Sequence, residues 1–227
     1  KNDLIDPATA QVQASEEFEA FCAALYNAYQ RALRAYNAVD FDDLIWQPVK
    51  LLEQHPALLE KWQSRIRYML VDEYQDTDLS QYRLVRLLTG VRQAFTVVGD
   101  DDQSIYAWRG ANPQNLLQLS KDFPRLKVIM LEQNYRSSQA ILDTANCLIA
   151  ESDRQYKKDL FSEARDGARP HYVTVEDGDA EAEYVVGSIL ANRELGMQLR
   201  DQAVLFRGSH HSDRLELELV RRNIPYV

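Results

Sequence analysis

Apolar residues recur at three- and four-residue steps through Phe18, Cys22, Leu25, Tyr29 and Leu33, which predicts an amphipathic helix with that stripe turned to a core. Ser15 precedes it as a cap, and Glu16 and Glu17 suit the positive end of its dipole. Before it, residues 1–14 contain Pro7 and hold no sustained period, so they read as an irregular connection. Asp40-Phe41-Asp42-Asp43-Leu44 opens a second helix, where the carboxylates favour the N-terminal dipole over a metal site. Pro48 should kink that helix or mark its early turns. His55-Pro56 breaks the chain, and Leu58, Leu59 and Trp62 predict a short helix.

From Arg67 the period changes. Tyr68-Met69-Leu70-Val71 is a continuous apolar run of the kind found in buried parallel strands, and it delivers Asp72-Glu73 at its C-terminal end. Leu79, Tyr82, Leu84, Val85, Leu87 and Leu88 predict a helix stopped by Gly90, and residues 95–98 the next strand, closed by Gly99. Strand, helix and strand in this order imply a right-handed parallel crossover. Asn112-Pro113 starts another helix, with Pro where its missing N–H costs least. Residues 128–131 predict a third strand, and Ser137 or Ser138 caps a helix holding Ile141, Leu142, Ala145 and Leu148. Residues 153–170 are polar and broken, a surface loop. Beyond it the alternation resumes with strands at 171–175 and 203–206, helices at 180–195 (ended by Gly196) and 212–222, and a strand opening at Ile224. The whole pattern predicts an α/β fold with a second α/β lobe.

Composition narrows the function classes. A chain of 227 residues with 45% hydrophobic content can bury one large or two small cores, and no apolar run approaches membrane-spanning length. Cys22 and Cys147 lie in separate apolar patterns and read as reduced core residues of a cytosolic, hence cytoplasmic, protein. His210-His211 has no further His or Cys around it and reads as an exposed pair near a helix start. The net charge of −9 argues against a basic DNA-coating protein, so any nucleic-acid contact must be local. The chain begins at Lys1 without Met and stops where a strand opens, and it is expected to be a piece of a longer protein.

Candidate chemistry gathers at the predicted strand ends. Asp72-Glu73 offers one carboxylate for Mg²⁺ and a second to orient and deprotonate an attacking water, the arrangement phosphoryl transfer needs, although acidic residues also end many strands with no such role. Gln103, a neutral amide after the next strand, could contact a γ-phosphate. Arg136, after the third, could stabilise charge on a transferring phosphoryl group, against the plainer reading of a surface arginine before a capping serine. Tyr106 and Trp108 stand two residues apart beside Arg109, a composition suited to stacking unpaired bases. A core strand running into an amphipathic turn is the other account of that segment. Three consecutive strands would set a phosphate-competent group at one edge of one sheet, where open α/β sheets bind ligands.

Taken in order and spacing, these segments resemble the superfamily 1 DNA helicases of the Rep, UvrD and PcrA group. Val71-Asp72-Glu73-Tyr74-Gln75-Asp76-Thr77 is similar to helicase motif II, Val98-Gly99 through Ala111 to motif III, and Leu131 through Ser138 to motif IV. Asp40 to Leu44 also resembles a segment these proteins carry before motif II, and Asn112 to Leu116 is nearer the Rep branch. The resemblance implies parts of two RecA-like parallel-sheet lobes, with residues 1–53 as the helical tail of an inserted subdomain, 54–134 as the later half of the first lobe and 135–227 as the start of the second. It implies ATP and Mg²⁺ as cofactors and single-stranded DNA and duplex junctions as partners. By that comparison Asp72 holds Mg²⁺, Glu73 activates water, Gln103 senses the γ-phosphate, Tyr135 packs on adenine and Arg136 is the arginine finger. Tyr106 and Trp108 stack on bases of the tracked strand, and Arg109 links that track to the nucleotide.

The departure from the family pattern is large. No Gly leads into Gly-Lys-Ser/Thr, so the phosphate-cradling loop is not in this chain, nor are the later motifs with a second arginine. The expected function is a fragment of a 3′-to-5′ DNA helicase, inactive alone, whose full-length protein couples ATP turnover to movement along DNA. Two alternatives stand beside it: a non-motor, degenerate lobe that binds DNA or a partner, and the motor subunit of a helicase–nuclease complex. Intact Asp72, Glu73, Gln103 and Arg136 disfavour the non-motor lobe.

Overall fold

The computed structural model describes residues 1, 3–152, 156–165 and 167–227, which divide into two compact units, Lys1–Gly167 and Ala168–Val227.

The first unit begins with helix α1 (Pro7–Gln13), in the stretch expected to be irregular. Its start is encoded by two adjacent residues: the Asp6 carboxylate accepts from the Thr9 N–H at 2.8 Å, and Pro7 occupies the first turn. A run too short to show a period can still be a helix when its cap is this complete. Helix α2 (Glu17–Ala35) follows, capped one residue later than expected, at Glu16, while Ser15 donates from both its N–H and its hydroxyl to the Glu19 carboxylate. The small side chain of Ala23 is buried, and the Tyr26 hydroxyl donates to the Ile5 carbonyl. Phe18, Leu25 and Tyr29 from the expected core stripe are exposed instead, and so are Cys22 and Cys147, both free thiols. Those cysteines are therefore not core residues.

Helix α3 (Asp43–Gln54) runs through Pro48 and buries Trp46, Val49 and Leu52. Of the acidic residues at its start, Asp42 at the N-cap makes no side-chain cap bond, whereas Asp40 accepts from the Asp43 N–H at 2.9 Å, and the Asp40 and Asp43 carboxylates hold the Lys1 ammonium at 2.6 and 3.0 Å. Helix α4 (Pro56–Arg65) leads to strand β1 (Met69–Val71), helix α5 (Leu79–Thr89) and strand β2 (Phe95–Val97). The strands pair in parallel with Met69 opposite Phe95 and Val71 opposite Val97, joined through α5 as the period change predicts. Gly90 ends α5 at φ 51°, in the half of conformational space glycine enters cheaply. Helices α6 (Gln114–Asp122) and α7 (Gln139–Ile149) complete the unit. Tyr74, Tyr82, Val85, Leu119 and Phe123 form its core, against Met69, Val71, Phe95 and Val97 from the strands.

In the second unit α8 (Gly178–Glu194) packs on α9 (Asp213–Arg221), with Val186, Leu219 and Ile224 at the centre. Gly196, at φ 98°, follows α8 as expected, and the exposed His210 and His211 meet edge to face just before α9 with ring centroids 4.1 Å apart.

The strands expected at 128–131, 171–175, 203–206 and from Ile224 are not formed. Among the described residues the sheet has two strands, and the other pairing is one bridge between Gln133 and Phe161. An apolar β-branched run has the side chains of a strand, but a ladder also needs a neighbour offering N–H and C=O groups, and among the described residues no ladder forms along these segments. Within the polar stretch 153–170, Asp153, Arg154, Gln155 and Asp166 lie outside the described residues, while Ser162 is buried. No helix among the described residues is long and apolar enough to cross a membrane.

Candidate functional site

Where β1 ends, Asp72 and Glu73 leave the sheet with exposed side chains. Glu73 takes the left-handed conformation, φ 49° and ψ 43°, which costs a residue with a Cβ roughly 1–2 kcal/mol. Its neighbours fix it there. The Glu73 N–H donates to the Asp72 carboxylate at 2.9 Å, and the Tyr74 N–H donates across to the Val98 carbonyl at 2.9 Å. Tyr74 is fully buried, so the backbone on the far side of Glu73 is anchored in the core. Burial also pushes the Tyr74 hydroxyl well above its ordinary pKa.

Gln75 carries the site from one strand end to the next. It is buried; its amide donates to the Glu73 carboxylate at 2.8 Å, and its carbonyl accepts from the Asp100 N–H at 2.9 Å. Gly99 makes this possible, because a Cβ there would stand 3.0 Å from Gln75 Oε1 and 3.3 Å from the Gln75 backbone nitrogen. Beyond it, a 3-10 turn over Asp101–Gln103 folds back on Asp100: the Gln103 amide donates to Asp100 Oδ2 at 2.6 Å, and the Asp102 N–H to Asp100 Oδ1 at 3.1 Å. Asp72 and Glu73 from one segment and Gln103 from another thus share one hydrogen-bonded cluster.

The three aspartates 100–102 lie close enough for their carboxylate oxygens to fall within 4.8 Å of one another. Lys158 answers them: its ammonium contacts Asp100, Asp101 at 2.8 Å and Asp102 at 3.3 Å. Burial raises the Asp100 carboxyl, but the ammonium of Lys158 and the Gln103 amide outweigh it and hold Asp100 below the usual carboxylate range. For Lys158, burial lowers the pKa and the bonds to Asp100 and Asp101 more than restore it, leaving it raised. With a lysine seated among these carboxylates, Asp72, exposed and bonded to one backbone N–H, is the better fit for a divalent cation.

Tyr106, Trp108 and Arg109 follow on a 3-10 turn (Ala107–Arg109) closed by Gly110 at φ 91°. The ring centroids are 6.3 Å apart, and the guanidinium of Arg109 lies 4.7 Å from the Trp108 centroid and 5.3 Å from that of Tyr106. Trp108 is 70% exposed and Tyr106 38%, so the indole is a surface group rather than a core anchor. Buried Asn115 pins the far side of this segment, donating to the Thr77 carbonyl at 2.9 Å, while the Asn112 N–H donates to the same oxygen.

Tyr135 and Arg136 stand apart from the cluster. Both side chains are exposed, on a turn in which Asn134 Oδ1 accepts the N–H groups of Arg136 and Ser137 at 2.9 and 2.8 Å. Arg136 does not follow a third strand, because residues 128–131 form none. Among the described residues neither side chain enters the hydrogen bonds around Glu73 and Gln103.

Sequence reasoning gave no part in the site to Gln75, Gly99 as a close approach, Asn115 or Lys158. Gln75 sits inside a motif whose carboxylates drew the eye, and Lys158 lies in a stretch set aside as loop. One signal was available: three successive aspartates call for a cation nearby.

The UvrD/REP helicase N-terminal domain family matches residues 1–124, and the UvrD-like helicase C-terminal domain family matches residues 129–227. ATP-dependent DNA helicase Rep of Escherichia coli (strain K12) is 51% identical over 227 residues, which is 100% of this chain and 34% of that protein. Rep of Salmonella typhimurium (strain LT2) gives the same identity and coverage. ATP-dependent DNA helicase PcrA of Staphylococcus aureus (strain Mu50) is 42% identical, with 100% of this chain aligned to 31% of its length. The chain spans about a third of the length of these relatives.

Proposed function

The chain belongs to the UvrD/Rep helicase family, and from that premise we propose that it is the part of an ATP-dependent 3′-to-5′ DNA helicase that activates water and senses the nucleotide, with its two family-matched segments belonging to two RecA-like lobes. Similarity to proteins named ATP-dependent DNA helicases supports ATP as substrate and DNA as partner. The observation that carries the reading is the continuous chain of hydrogen bonds from Glu73 through Gln75 to Asp100 and Gln103. It ties the carboxylate suited to activating water to the amide suited to the terminal phosphate, on the same loop that presents Trp108.

In this mechanism Glu73 accepts a proton from the water whose oxygen attacks the γ-phosphorus, and the bond to the bridging oxygen breaks as ADP leaves. Asp72 would hold Mg²⁺, which supplies charge neutralisation on the phosphate oxygens when bound. Gln103 donates to the γ-phosphate and loses that partner on hydrolysis. Tyr135 packs on adenine, and Arg136 stabilises charge on the transferring group. Tyr106 and Trp108 stack on bases of single-stranded DNA, at the strand or at a duplex junction, with Arg109 between the two rings and the nucleotide. Without a Gly-Lys-Ser/Thr loop of its own, the 227-residue chain by itself is inactive toward ATP.

The test is Glu73→Gln in the full-length protein. It keeps the shape and a hydrogen-bonding group but removes the base, so DNA-stimulated hydrolysis should fall by about two orders of magnitude or more while ATP still binds. Turnover near the parental rate would reduce Glu73 to a strand-end carboxylate.

A further inference from the structure

We propose that Lys158 is a positioning residue for the hydrolysis reaction: by clamping Asp100 it sets the Gln103 amide, and so makes the nucleotide sensor depend on the stretch matched by the C-terminal family domain. The inference rests on the helicase reading above.

Lys158 lies in the stretch matched by the C-terminal family domain, whereas Asp100, Asp101 and Asp102 lie in the stretch matched by the N-terminal one. The contact is not a loose surface pair. The Lys158 side chain is 12% exposed and spans three carboxylates at once. Nor is Asp100 a bystander. Its Oδ1 accepts from Lys158 and from the Asp102 N–H, its Oδ2 accepts from the Gln103 amide, and its own N–H is held by Gln75, whose other end holds Glu73. One carboxylate therefore receives the lysine and orients the glutamine, with a second route to the catalytic glutamate. Removing the ammonium would leave three like charges within a few ångströms of one another, and the turn over Asp101–Gln103 that depends on them would open. The bond that aims Gln103 would be lost although Gln103 itself is unchanged.

The experiment compares Lys158→Met, Lys158→Arg and Glu73→Gln with the parent in the full-length protein, measuring DNA-stimulated kcat, KM for ATP and melting temperature. Small displacements of a positioned group cost up to about a hundredfold in rate, so Lys158→Met should lower kcat by roughly tenfold to a hundredfold with KM changed less than about threefold. Lys158→Arg, which keeps the charge, should restore most of the rate. A parental kcat in Lys158→Met overturns the inference, and so does a fall in kcat that tracks a fallen melting temperature and is not rescued by arginine. If those results come with an inactive Glu73→Gln, the positioning role alone is lost and the helicase reading stands. If Glu73→Gln keeps parental hydrolysis, the reading itself fails and the inference goes with it.

Discussion

Trp108 exposes most of its surface while resting against a guanidinium, which is the form of a side chain waiting for a flat partner. Stacking one base on an aromatic contributes about 1–3 kcal/mol, so Trp108→Ala in the full-length protein should weaken single-strand binding roughly tenfold to a hundredfold. The melting temperature should stay within about a degree, since a surface truncation removes little packing. A collapsed melting temperature with unchanged DNA affinity would defeat the stacking role. At the neighbouring clamp the titration signs are opposed. Asp100 is depressed on folding, so its contribution is present above its ordinary value of 3.8 and is lost as pH falls through its lower folded value. Lys158 is raised, so its contribution is present below its ordinary value of 10.5 and is lost as pH rises through its higher folded value. Hydrogen-exchange protection of the Asp102 N–H, corrected for intrinsic rates, should therefore be flat between about pH 4 and 10. A step near neutrality would mean that another group controls the turn.

Among the elements, the junction of β2 with its following turn is the most demanding. A methyl group on Gly99 would press on Gln75, which is buried and bonded at both ends, so neither side can give way cheaply. Gly99→Ala should cost about 1–3 kcal/mol in unfolding free energy and lower DNA-stimulated hydrolysis more than DNA affinity. Equal losses in both would show that the strain spreads past the Gln75 relay. Helices after the first were legible in the sequence because they carry their own evidence, as in the stripe from Leu79 to Leu88, the stop at Gly90 and the Pro after Asn112, whereas α1 is too short to show a period. The parallel pair was legible because both strands and the helix between them are present. Residues 128–131 were misread because nothing in the side chains of a strand reports whether a neighbour exists. The outward stripe of α2 misled in a similar way, since it offers apolar residues on two sides and periodicity alone does not say which is covered. Of the site, the carboxylates and aromatic residues stood out by type, whereas Gln75 and Lys158 join it through Asp100, which is distant from both in sequence.

On the scale of the whole molecule, the two units carry cores of unequal size. The first has a cluster of five buried residues against a sheet face and buries Trp46, Val49 and Leu52 besides, while the second depends on Val186, Leu219 and Ile224. A unit as short as the second buries proportionally less of its surface and is marginal. Leu219→Ala, costing about 2–5 kcal/mol, should therefore unfold residues 168–227 while the amides of α5 and β2 keep their protection in hydrogen exchange. Loss of protection in both units together would show that they fold as one. The strand-like segments without neighbours carry a further consequence. Leu131 is 77% exposed, Tyr172 93% and Leu205 94%, each within a strand-like run that joins no ladder among the described residues. In the isolated chain such runs are templates: a second molecule can supply the missing strand, and a third can extend the stack. Handling the segment by itself should accordingly be limited by self-association that grows with protein concentration, and a short β-forming peptide offered in excess would compete for those same edges.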